Sequence, residues 1–97
     1  MTIHYYRKGQ KVRFTNEFKV AGVLTDPTTV TCKVMNPSGD ITTYVYGTDA
    51  ALVKDSTGVY HVDVVCNLKK EWNVRFEGTG TCVAVDELTV GVASVFP

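Results

Sequence analysis

Residues 29–35, Thr-Val-Thr-Cys-Lys-Val-Met, alternate from side to side without a break. A period of two lines up Val30, Cys32 and Val34 on one side of an extended chain and Thr29, Thr31, Lys33 and Met35 on the other; a helix would spread the same residues around its axis. The pattern recurs with Tyr60, Val62 and Val64 against His61 and Asp63, and with Trp72, Val74 and Phe76 against Asn73, Arg75 and Glu77. One apolar and one wet side per strand fits antiparallel sheets, since the strands of a parallel sheet are apolar on both sides. Two such sheets bury their apolar sides by facing each other, so the pattern predicts an all-β antiparallel sandwich. Usage agrees: valine, threonine and isoleucine make up 32 of the 97 residues, and leucine and alanine only nine.

Turn residues mark off seven or eight strands. Lys11–Thr15 puts Val12 and Phe14 on one face, in a phase that extends through Phe18 and Val20, and residues 22–28 form a connection that Pro27 keeps out of any ladder. Asn36-Pro37-Ser38-Gly39-Asp40 suits a tight turn pairing residues 29–35 with 41–46. Leu52–Lys54 reads as a short edge strand, followed by the turn Asp55–Gly58 and the strand 59–65. After a polar connection at 67–71 and the strand 72–77, Gly78-Thr79-Gly80 is expected to break the chain before two last strands, 81–86 and 88–92. Residues 1–8 then form an N-terminal arm, 9–92 one sandwich domain and 93–97 a C-terminal tail, with apolar arm and tail positions placed to fray or to dock on a neighbour.

A chain of 97 residues has surface enough for one core and not for two domains. Ten basic residues balance ten acidic ones, which gives no reason to expect nucleic acid or a membrane as partner. Position matters more than the total: Arg7, Lys8, Lys11, Arg13 and Lys19 outnumber Glu17 in residues 1–20, and Glu77, Asp86 and Glu87 stand without a cation in residues 77–97. Such ends suit head-to-tail contacts between copies, or they neutralise each other if the first and last strands are neighbours. No apolar run reaches the length of a membrane span, and no signal peptide is read at the N-terminus, so the chain is expected to be made in the cytoplasm without export. Cys32, Cys66 and Cys82 lack metal-site spacing and are expected to be reduced, Cys32 and Cys82 as small strand hydrophobes. A Cys32–Cys82 bridge between sheets is the alternative, and Cys66, at a strand end, is the thiol to test for reactivity.

Little in the chain points to chemistry. His61 and Asp63 lie side by side on one strand face and could bind a metal or pass a proton, but His4 is far away in the arm, and the pair reads as a solvated surface. Gly78–Gly80 is too short for a phosphate loop, and Ser38, Ser56 and Ser94 lack the context of a nucleophile. No catalytic, cofactor-binding or metal residue is assigned, and the expectation is a protein that is not an enzyme. Tyr44 and Tyr46, placed by alternation on an outer face beside Thr42, pack across strands or form a small aromatic platform.

Three segments together resemble small immunoglobulin-like proteins of tailed bacteriophage particles: Thr25-Asp-Pro-Thr-Thr-Val-Thr31 with Pro37-Ser38-Gly39, Asp55-Ser-Thr-Gly-Val-Tyr-His-Val-Asp63, and Trp72-Asn-Val-Arg-Phe-Glu-Gly-Thr-Gly80. The resemblance covers roughly residues 8–92 and departs at Lys69-Lys70-Glu71, where such sequences often have proline or glycine. It implies an immunoglobulin-like sandwich serving as a virion component, at the head-to-tail neck, on the capsid as decoration or on the tail. The partners it implies are other virion proteins and further copies of the chain. A second expectation is a virion binding module that holds a host-surface glycan on Tyr44 and Tyr46.

Overall fold

The computed structural model describes residues 5–94, apart from the side chain of Tyr5. Ten strands follow in order: β1 (Tyr5–Arg7), β2 (Gln10–Glu17), β3 (Lys19–Val20), β4 (Val23–Leu24), β5 (Thr29–Met35), β6 (Ile41–Val45), β7 (Leu52–Ser56), β8 (Val59–Cys66), β9 (Lys70–Thr79) and β10 (Ala84–Ala93). One sheet has the order β1-β10-β9-β5-β6, the second β2-β8-β7, and β3-β4 is a separate two-stranded hairpin. All pairings are antiparallel except β1 with β10.

The alternation sets the core. Val30, Cys32, Val34, Trp72, Val74 and Phe76 from the larger sheet meet Val12, Phe14, Tyr60, Val62 and Val64 from the smaller, and all are buried. Each large side chain removed from water contributes roughly 1.5–3 kcal/mol. Trp72 also donates its indole N–H to the Leu68 carbonyl at 3.0 Å, which satisfies the one polar atom that its burial would otherwise orphan.

Several elements differ from the sequence expectation. The phase of β2 carries Phe18 into the core, edge-to-face against Tyr60 at 5.6 Å. It does not carry Val20, which the β3–β4 hairpin leaves 45% exposed. That hairpin lies within the stretch expected as a continued strand and a connection, and it turns through Ala21 and Gly22 at positive φ. The strand does not break at Gly78. β9 runs on to Thr79, and Gly78 is glycine because Pro27 and Phe18 lie across it, so that an added Cβ would stand 2.8 Å from Pro27 Cγ. The break comes at Gly80–Val83, and β10 then runs unbroken where two strands were expected. Cys82 is therefore a buried loop residue rather than a strand residue. Tyr5–Arg7, expected in a free arm, forms a strand of the larger sheet, while His4 and residues 95–97 lie outside the described residues. β9 begins at Lys70, inside the expected connection, and Lys70 takes φ 95°, a backbone angle that favours glycine.

Candidate interaction surfaces

The His61–Asp63 pair is not a wet surface. β7 carries a bulge between Lys54 and Ser56, which leaves Asp55 out of register with β8. Its carboxylate turns onto His61, both oxygens 2.7 Å from Nδ1. His61 is only 6% exposed. Its Nε2 stands 4.0 Å from Asp63 Oδ2, and Asp63 in turn accepts from Arg13 Nε at 2.9 Å and Nη2 at 3.1 Å. The guanidinium holds the Asp63 carboxyl below the usual carboxylate range. The cluster ties together β2, β8 and β7. Among the described residues no group of three or more histidines, cysteines or acids could hold a metal ion.

Asp26 makes a second clasp at the end of the sandwich. Its carboxylate accepts from Lys54 Nζ at 2.7 Å, the Gly58 N–H at 2.8 Å and the Tyr60 hydroxyl at 3.3 Å. Its carbonyl accepts from the Thr81 hydroxyl at 2.6 Å. The Lys54 ammonium and the Gly58 N–H together hold the Asp26 carboxyl low. Asp26-Pro27 is thus the strap that crosses between the sheets, with Pro27 buried on Gly78.

All three thiols are free and buried, with no Cys32–Cys82 bridge. Burial pushes the Cys32 thiol up to about 12 and raises that of Cys66, the thiol singled out for a reactivity test, which ends β8. Tyr44 and Tyr46 do not share an outer face, although Tyr46 is 45% exposed. Tyr44 is half-buried against the core, and the Tyr46 ring stands edge-on to Tyr60 at 5.2 Å.

The fold sorts the charges differently from the chain order. One end of the sandwich, made by Lys8-Gly9 and the turns 36–40 and 67–69, gathers Arg7, Lys8, Lys11, Lys69 and Lys70 against Asp40 and Glu71. The opposite end, made by the β3–β4 hairpin and the loops at 57–58 and 80–83, gathers Glu17, Asp26, Asp49, Asp55 and Asp86 against Lys19 and Lys54. The waist is internally paired: Arg13 with Asp63, Arg75 with Glu77 and Glu87, and Lys33 with Glu77. Five cations face two carboxylates at one end, and five carboxylates face two cations at the other. The basic and acidic stretches of sequence therefore do not neutralise each other as wholes, although Asn16 does bond Asp86 at 3.0 Å.

The acidic end also carries exposed valines. Val20 is 45% exposed, Val23 66% and Val83 80%. Val83 follows Cys82, whose thiol lies 3.7 Å from the Lys19 carbonyl at the foot of the hairpin.

No family profile matches the chain, and no curated protein matches it. Among solved structures, the crystal structure of the Lin-41 filamin domain superposes with a TM-score of 0.69 at 12% sequence identity, over 96% of this chain and 86% of that one. At that identity the likeness speaks for architecture: the chain is an all-β sandwich with an immunoglobulin-like fold.

Proposed function

We propose that the chain is a non-enzymatic structural protein of a phage particle, working through contacts with other proteins at the head-to-tail neck or on the capsid surface. The observation that carries the contact-making role is the acidic end, where Val20, Val23 and Val83 face solvent beside an excess of carboxylates. The polar clusters at His61 and Asp26 support the same reading, because their hydrogen-bonding groups are taken up in joining strands. The assignment to a virion draws on the three resembling segments, which supply the Asp26-Pro27 strap, the β7–β8 turn and strand β9. Mass spectrometry of purified particles of the encoding phage tests it. The chain is expected at a fixed stoichiometry to the major capsid protein, and its absence from particles that retain their necks and decoration would refute the proposal.

A further inference from the structure

The two ends of the molecule complement each other. β9 runs from the basic end to the acidic end, about 30 Å at the rise of an extended strand. That separation is several times the screening length of about 8 Å at physiological salt, so the ends cannot neutralise each other within one molecule. They can do so between two. The waist between them is paired off and adds no net field. Apolar surface is present on both sides of such a contact: the valines of the acidic end, and near the basic end Val65 at 52% exposed and Ile41 at 60%.

We infer that copies of this chain associate head to tail, the acidic valine-bearing end of one seated on the basic end of the next. The inference deepens the contact-making role proposed above and names its partner as a second copy. Two like ends would place matching charges against each other, so a two-fold contact through either end is disfavoured, whereas a head-to-tail contact uses two different surfaces and can repeat. Electrostatic attraction brings the ends together and sets their order, and the valines supply the area removed from water.

Sedimentation velocity on the purified chain tests this, at about 20 mM and at about 500 mM salt, because screening weakens contacts between exposed charges. The weight-average mass is expected to rise with protein concentration at low salt and to fall at least twofold toward the monomer at high salt. The double variant Lys69→Glu/Lys70→Glu reverses the basic end, and Glu17→Lys/Asp86→Lys reverses the acidic end. Each alone is expected to remain monomeric, because both of its ends then carry excess charge of one sign, and an equimolar mixture to associate again, since opposite charges meet at the junctions between the two variants. Circular dichroism and unchanged melting establish that each variant is folded. A wild-type chain that stays monomeric at about 1 mM in low salt overturns the inference, as do variants that self-associate as the wild type does. The virion proposal fails separately: a chain that associates head to tail in solution but is missing from particles refutes that proposal alone, and a monomer found in particles refutes only this inference.

Discussion

Replacing Gly58 by alanine is expected to cost far more than the single methyl it adds. Gly58 sits at φ 73°, a region that costs an L-residue roughly 1–2 kcal/mol. The new Cβ would also lie 2.7 Å from the Phe18 carbonyl oxygen and 2.8 Å from the Thr25 nitrogen. Both are backbone atoms held in place, since the Phe18 N–H donates to the Gly58 carbonyl at 2.7 Å and the Thr25 N–H to the Phe18 carbonyl at 2.9 Å. Relief requires the β7–β8 turn to move off the strand crossing, with overpacking strain of roughly 1–3 kcal/mol and the loss of about one hydrogen bond worth near 1 kcal/mol. The expected loss is about 3–6 kcal/mol, against a total stability of roughly 5–15 kcal/mol for a domain of this size. Gly39→Ala is the control: its φ of 89° is equally left-handed, but nothing lies within 4 Å of its Cβ, so it is expected to cost only about 1–2 kcal/mol. Urea unfolding followed by the fluorescence of Trp72, the sole tryptophan and 5% exposed, measures both. Equal losses for the two variants would refute the argument, because backbone angle alone would then explain Gly58.

Stability is expected to fall on acidification. Asp26, Asp63 and Glu77 are all held below their ordinary values by Lys54, Arg13 and Arg75 respectively. The unfolded chain therefore takes up protons first, and the stabilisation, complete above the unfolded carboxylate range, drains away from about pH 5 downward as the folded values are crossed. Urea midpoints that stay constant from about pH 7 to about pH 3 would contradict this. The three buried thiols are expected to react with a maleimide only after unfolding, and rapid labelling of Cys66 in the native protein would show that its end of β8 is open. Lys70→Gly should raise stability by about 1 kcal/mol through relief of the positive φ, as read from the urea midpoint, and a lower midpoint would mean that the Lys70 side chain contributes more than its backbone costs.

Much of the core was legible because it depends on neighbours along the chain. The alternation around Cys32, Val62 and Val74 is local, and burial follows once a second sheet covers it. What was misread depends on residues brought from elsewhere. The burial of His61 comes from a bulge on the adjacent strand that turns Asp55 over it, and no spacing between residues 55 and 61 announces that. Gly78 reads as a strand breaker until Pro27, some fifty residues earlier, is seen to lie across it. Charge polarity was legible only in part. The sequence separates basic residues 7–19 from acidic residues 77–87, but the fold moves Lys19 to the acidic end and brings Lys69 and Lys70 beside Lys8. The surface that supports the contact-making proposal therefore depends on the three-dimensional path. The hairpin at Val20 and Val23 follows the same logic, since Val20 looks like an interior strand residue and Val23 like part of a connection until Ala21 and Gly22 turn the chain outward.

The parallel pairing of β1 with β10, Tyr5 opposite Gly91 and Arg7 opposite Ala93, has a kinetic side. It joins the two most distant described strands, so the chain must close nearly its longest loop for the contact to form, and closures of that kind come late in folding. β1 has only three residues, paired on one side. It is thus the last strand to be laid down and among the first expected to lift during local opening, when it would bare the backbone edge of β10 while the rest of the sandwich stays closed. Hydrogen exchange at Gly91, which like Ala93 faces β1, should then outpace that at Val74, in the middle of the same sheet.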